Sequence, residues 1–91
     1  MTEPPDLFSA TPDPVTAGED LSVTYTNASK ANETITIHMS NGSSGHDSVS
    51  VTLDANGSGT VEWTVPASGW ISVILSADGS ADHTVAVSPI D

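Results

Sequence analysis

The sequence predicts an all-β protein, an antiparallel β-sandwich of about seven strands. The first observation is a period of two over residues 48–76, where apolar side chains occupy every second position. This period places alternate side chains on opposite faces of a strand. The second is that turn residues separate the apolar runs at intervals of ~8–12 residues, a spacing typical of sandwiches. The third is that no window of the sequence has the periodicity of a helix.

The strands are predicted from this alternation, in order along the chain. Short edge segments are expected at 7–10 and 15–17, on either side of Pro12 and Pro14, because proline is confined to edges and bulges. The remaining strands are predicted at 21–25, 34–40, 48–53, 59–65, 70–76 and 82–88. Extra apolar residues in the strand over 70–76 indicate that it is central in its sheet.

A tight turn is predicted between two of these strands. Asn56-Gly57 follows Asp54 at this point, and both Asn and Gly tolerate positive φ. We therefore predict a hairpin in which the strand over 48–53 pairs with the strand over 59–65.

The inward positions of the strands define the predicted core. Apolar residues in one phase of the alternation are expected to face inward, because hydroxyl residues fill the other phase. The predicted core consists of Leu21, Val23, Tyr25, Ile35, Ile37, Val49, Val51, Leu53, Val61, Trp63, Val65, Ile71, Val73 and Val85.

Composition limits the classes of protein to which the chain can belong. Its 91 residues are enough for one domain, expected over 7–91 after a flexible leader over 1–6. Twelve acidic residues against one lysine give a formal net charge of −11, which would repel nucleic acid and anionic membranes. We therefore expect neither as a partner. The chain contains no cysteine, so no disulfide supplements its core.

Three segments resemble bacterial Ig-like (immunoglobulin-like) repeat domains. TPDPVTAGEDLSVTY, residues 11–25, is similar to the opening of such domains, where a proline-containing edge precedes a Gly turn and strand B. TLDANGSGTVEWTV, residues 52–65, resembles their hairpin of strands D and E, and SGWISVILSADGSADHTVAV, residues 68–87, resembles strands F and G. The resemblance implies an Ig-like β-sandwich. Trp70 departs from the pattern, because such domains usually have a smaller aromatic residue there, commonly tyrosine.

The same resemblance implies a function. Such domains are commonly non-catalytic spacers or adhesion modules, and related folds decorate phage capsids and tails. We expect a structural or interaction module displayed on a surface, as part of a larger bacterial extracellular protein, with a protein partner or host scaffold. A small capsid decoration protein of a virion is the alternative, favoured by the start at Met1 without a signal peptide pattern. Contacts are expected on the loops 27–32, 41–47 and 66–69, because loops carry function on rigid scaffolds.

No motif in the sequence supports catalysis. A hydrolytic triad needs a nucleophile, a histidine and an acid that converge in space. The sequence neighbours His46-Asp47 and Asp82-His83 point to opposite faces of a strand and cannot orient each other. The G-x-S-x-G motif is also absent. We therefore expect neither enzyme activity nor a cofactor.

Calcium is the metal for which the sequence offers candidate ligands. Asp54, Asn56, Asp78 and Asp82 lie in predicted turns and carry hard oxygen ligands. The EF-hand pattern is absent, because Gly57 follows Asp54 too early. Asp and Asn are also ordinary turn residues, so turn formation is the favoured interpretation and calcium binding the alternative.

Trp70 is the candidate for ligand binding. Trp63 is in phase with Val61 and Val65 and is predicted to be a core residue. Trp70 instead starts a strand, where its ring could be presented to a sugar. A carbohydrate-binding module is therefore a further alternative for the function of the chain.

Overall fold

The structure is a computed structural model that describes residues 7–77 and 80–89. In this part of the chain eight strands form, with one short 3₁₀ turn between the third and the fourth. They are β1 (Phe8–Thr11), β2 (Val15–Thr16), β3 (Asp20–Thr26), the 3₁₀ turn (Ala28–Lys30), β4 (Thr34–Ser40), β5 (His46–Thr52), β6 (Ser58–Thr64), β7 (Ser72–Ser76) and β8 (His83–Ser88). The all-β prediction is confirmed. The predicted leader over 1–6 lies outside the described residues.

The strands form two sheets that pack face to face as a β-sandwich. One sheet has the order β1-β3-β6 and is antiparallel throughout. The other has the order β2-β8-β7-β4-β5, with β7 in the centre as predicted. In this second sheet β2 pairs with β8 in parallel, where Val15 lies opposite Val87. The expectation of a wholly antiparallel fold is therefore wrong at this edge.

The predicted hairpin between β5 and β6 is wrong. β5 pairs with β4 over all seven of its residues, and β6 pairs with β3 in the other sheet. The turn over 54–57 does form, but it carries the chain from one sheet to the other. Asn27 N–H donates to Gly57 O, and Asn32 N–H donates to Asp54 O, so the turn bonds to the connection between β3 and β4. An Asn-Gly turn is compatible with a hairpin and with a crossing between the two sheets. The pairing of β5 with β4 over seven residues selects the crossing.

The core lies between the two sheets. Most of the predicted core residues are buried there, namely Leu21, Val23, Tyr25, Ile37, Val51, Leu53, Trp63, Val65, Val73 and Val85. Ile35, Val49 and Val61 are only half-buried, because they lie toward the side where β5 and β6 are edge strands. The predicted core omitted four large buried residues that complete it, which are Phe8, Val15, Met39 and Leu75.

The prediction that Ile71 belongs to the core is wrong, because its side chain is 84% exposed. The alternation that buries Val73 and Leu75 begins only at Ser72, the first residue of β7. The main chain at Ile71 already accepts a hydrogen bond from Val87 N–H. Its side chain, however, still belongs to the preceding loop and lies in solvent.

Hydroxyl side chains cover the outer faces and pair across strands. Thr24 Oγ1 lies 2.8 Å from Thr60 Oγ1 on the three-stranded sheet. Thr34 Oγ1 lies 2.9 Å from Thr52 Oγ1 on the five-stranded sheet. Each such pair contributes ~0.2–1 kcal/mol to the stability of a sheet. The hydroxyl-rich face predicted from the sequence is therefore the solvent face of both sheets.

The direction of the strands gives the sandwich two distinct ends. The upper end carries the β4–β5 loop (41–45) and the β6–β7 loop (65–71), because β4 and β6 end there. The lower end carries the β3–β4 loop (27–33) and the β5–β6 turn (53–57). Each end therefore combines loops from both sheets.

Candidate functional site

The upper end is where the structure brings together two of the three predicted contact loops. Asn41 links them, because its Nδ2 donates to Gly69 O at 2.9 Å. Its Oδ1 accepts from the N–H groups of Ser43 and Gly45 at 2.8 and 3.0 Å. One side chain thus closes the β4–β5 loop and attaches it to the β6–β7 loop. The third predicted contact loop, 27–32, lies at the opposite end.

Two tryptophans join this pair of loops to the core. Trp63 is 7% exposed, on the inward face of β6, so the prediction that it is a core residue is confirmed. The ring of Trp70 packs edge-on against Trp63, with centroids 5.1 Å apart and planes at 60°. A Cβ atom placed on Gly45 would lie 3.1 Å from the Trp70 ring, so the β4–β5 loop lies against that ring as well. Trp70 is half-buried and offers a ligand only part of its surface.

Asp47, the last residue of the predicted contact loop 41–47, belongs to this site as the partner of Trp63, a role that was not predicted from the sequence. Trp63 Nε1–H donates to Asp47 Oδ2 at 2.6 Å, and Ser48 N–H donates to Asp47 Oδ1 at 2.8 Å. Asp47 lies opposite Met39, a buried residue, and so shares the inward phase of β5 with Val49. A buried indole N–H requires an acceptor. An acidic residue in an apolar phase is therefore the signal that could have identified Asp47.

The hydrogen bonds to Asp47 stabilise its charged form. The Trp63 indole N–H is the main cause that lowers the pKa of Asp47 below its ordinary value of 3.8, and the Ser48 amide adds to it. Desolvation acts in the opposite direction. The charged carboxylate of Asp47 therefore links β5, an edge strand of the five-stranded sheet, to β6, an edge strand of the three-stranded sheet.

Ile71 gives the upper end an exposed apolar contact point. It is the large hydrophobic side chain that the described residues leave most open to solvent, next in sequence to the half-buried Trp70. The acids Glu19 and Asp20 are exposed at the same end, where β3 begins.

The candidate calcium ligands that the structure describes lie in connections between strands at the lower end. Asp54 Oδ1 accepts from Ser58 N–H at 3.0 Å and from Asn56 N–H at 2.8 Å, and these two amides hold its pKa below 3.8. These bonds form the turn itself. Asp82 is exposed, and Asp78 lies outside the described residues. Over 7–77 and 80–89, no three His, Asp or Glu side chains are grouped as ligands of a metal ion. Calcium binding therefore stays a prediction.

The lysine of this chain also lies at the lower end. Lys30, the chain's only Lys or Arg, ends the 3₁₀ turn, and its N–H donates to Asn27 O at 2.9 Å. Asn27 Oδ1 caps the same turn by accepting from Ser29 N–H at 3.1 Å. The Lys30 residue is half-exposed. The upper end therefore has neither Lys nor Arg beside its acids Glu19 and Asp20.

The contribution of Asp47 and Asp54 to stability is expected to fall on acidification. Both pKa values lie below 3.8 in the folded chain, and both groups return to about that value in the unfolded chain. A lowered pKa stabilises the folded state fully above the unfolded value. That contribution is lost as the pH falls through 3.8 and then through the lower folded pKa. The contribution of these two groups to the urea midpoint should therefore decrease between about pH 5 and about pH 2.

Asp47→Asn tests how much of this loss comes from the bridge to Trp63. The amide oxygen can still accept the indole N–H, but the side chain no longer titrates, so the urea midpoint should depend less steeply on pH. Asp82→Asn, which removes an exposed carboxylate elsewhere, is the matched control. Equal pH dependence in the two variants would contradict the role given to Asp47.

Comparison with known proteins does not assign the chain to a family. No protein-family model matches it, and neither the curated proteins nor the solved structures include a match. The resemblance to bacterial Ig-like repeats therefore stays a prediction. Within the described residues, no helix is long and apolar enough to cross a bilayer.

Proposed function

We propose that this chain is a non-catalytic, Ig-like structural and interaction module, displayed on a surface as a spacer or adhesion domain of a larger bacterial extracellular protein. The observation that carries the proposal is the course of the chain. Leu7 lies at the lower end, where its C=O accepts from Thr26 N–H, and Ser88 lies at the upper end, where its C=O accepts from Ala17 N–H. A module entered at one end and left at the other adds its length to a linear array.

The strand order supports the Ig-like part of the proposal. In the proposed assignment β3 and β6, which share one sheet, correspond to strands B and E, and β4, β7 and β8 of the other sheet correspond to strands C, F and G. One strand departs from the constant-type pattern. β5 pairs with β4, whereas strand D of that type pairs with strand E.

The pairing of β2 with the last strand, β8, supports a load-bearing role. β2 runs parallel to β8, and Ala17 N–H extends the pairing by donating to Ser88 O at 2.8 Å. Tension applied through the two ends of the chain pulls β2 and β8 in opposite directions along their length. The hydrogen bonds between strands lie across that direction, so they are loaded together rather than one after another.

Force spectroscopy tests the proposal. The chain is pulled once through its two termini and once through the thiols of a Glu33→Cys and Asp82→Cys variant, both in exposed positions near the lower end. Because the chain has no cysteine, the attachment points are unambiguous. We expect the rupture force to be at least about twofold higher for end-to-end loading, since the second geometry separates strands sequentially.

The comparison of the two geometries also defines failure. A rupture force that is equal in both geometries, or lower end to end, would contradict a spacer that stays folded under tension. Thermal unfolding of the double-cysteine variant with capped thiols is the control, because its stability must match that of the unchanged chain for the forces to be compared.

A further inference from the structure

β6 is an edge strand whose outer side is open. Val65 N–H donates to Glu19 O, which fixes the phase of the ladder between β3 and β6. In an antiparallel ladder the intervening residues direct their N–H and C=O groups away from the partner strand. These residues are Thr60, Glu62 and Thr64, and in the described part of the chain nothing bonds to these outward main-chain groups.

The edges at β1 and β2 carry protection that this part of β6 lacks. β1 and β2 are short and are separated by Pro12 and Pro14. On the β5 edge, Ser48 N–H is taken by Asp47 Oδ1, whereas Ser50 and Thr52 direct their main-chain groups outward. β6 has no proline or lysine, and its register with β3 is continuous over seven residues. Unprotected edges of this kind accept an added strand.

An apolar strip lies beside this open edge. Val61 on β6 and Val49 on β5 both lie in the inward phase, yet each is only half-buried. A strand added to β6 would direct alternate side chains over this strip and cover it. Its other side chains would lie on the outer face, next to the exposed residues Thr60 and Glu62.

We propose that the β6 edge binds an extended segment of a partner polypeptide in which apolar residues alternate with Lys or Arg. The apolar residues match the strip beside the edge, and the cationic residues match Glu62. The net charge of −11 favours a cationic partner and opposes a second copy of this chain. The proposal goes beyond the spacer function and does not depend on it, since the edge lies along the side of the module.

Titration of the isotope-labelled chain with a synthetic peptide of alternating valine and lysine tests the proposal. We expect amide shifts in the NMR spectrum to concentrate at Thr60, Glu62 and Thr64. A peptide of the same composition, with its lysines and valines in two separate blocks, is the control for general attraction to an acidic protein. Equal binding of both peptides, or shifts centred elsewhere, would overturn the proposal.

Thr60→Pro removes an outward N–H without removing a bond to β3, because proline is tolerated at such edge positions. The substitution should lower the affinity for the alternating peptide at least about tenfold, because one hydrogen bond is lost and the proline ring blocks the approach of the added strand. Ser50→Pro, at an outward position of the β5 edge, is the matched control and should leave the affinity unchanged. Unchanged affinity in a folded Thr60→Pro variant would overturn the proposal.

Two further measurements keep the test decisive. If Thr60→Pro does not fold, the alternating peptide with N-methylated amides replaces it, and undiminished binding of that peptide overturns the proposal. Sedimentation at high salt tests whether a second copy of this chain, rather than a cationic partner, occupies the edge. Dimerisation of the unchanged chain that Glu62→Pro or Thr60→Pro abolishes would show that a second copy occupies the edge, which also overturns the assignment of the partner.

Discussion

Truncation of Trp63 to alanine is expected to lower the free energy of unfolding by about 3–5 kcal/mol, a large part of what a domain of this size possesses. The indole is 7% exposed, packs against Trp70, and donates its N–H to Asp47. Removal would leave a cavity between the sheets and would remove the hydrogen bond from β6 to Asp47 on β5. Urea unfolding followed by circular dichroism measures the change.

Trp63→Phe separates the packing of this ring from its hydrogen bond. Phenylalanine fills most of the same space but has no N–H, so the variant should cost about 1–2 kcal/mol. The carboxylate of Asp47 is exposed and remains solvated, which keeps this cost small. A cost below about 1 kcal/mol for Trp63→Ala would show that the inward phase assigned to β6 is incorrect.

The second large effect is expected for Gly57→Ala, with a cost of about 2–5 kcal/mol. Gly57 has φ +81, a conformation that residues with a Cβ rarely adopt. An added Cβ would also lie 2.2 Å from Asn27 O and 2.9 Å from Ala28 Cα, both main-chain atoms that cannot rotate away. The β5–β6 turn would have to separate from the β3–β4 loop, and thermal unfolding would record the loss.

Gly69→Ala is the matched control for this prediction. Gly69 has nearly the same φ, +84, but an added Cβ would meet no atom within 4 Å. The variant should therefore show only the conformational cost, about 1 kcal/mol. Equal destabilisation by the two substitutions would contradict the close approach of Gly57 to the neighbouring loop.

The strands and most of the core could be predicted from the sequence, because each depends on alternation within a few residues. Leu21, Val23 and Tyr25 alternate with Ser and Thr, and they are buried as that pattern requires. The prediction for Ile71 was wrong because the strand that continues its alternation begins one residue later, at Ser72. Periodicity gives the phase of a strand but not its first residue.

The pairing of strands and the site itself could not be predicted from local patterns. The Asn56-Gly57 turn is equally compatible with a hairpin and with a crossing between sheets, and β4 decides the outcome from outside the turn. The bond from Asn41 to Gly69 joins residues 28 positions apart, and the bond from Trp63 to Asp47 spans 16 positions. Such partners are specified by the packing of the sheets rather than by neighbouring residues.

The position of Lys30 has a practical consequence for work on immobilised protein. Amine-reactive supports couple to lysine, and this chain has one, at the lower end. Coupling chemistry that is usually random would therefore produce a layer of uniform orientation, in which Ile71 and the Asn41-linked loops face the solution.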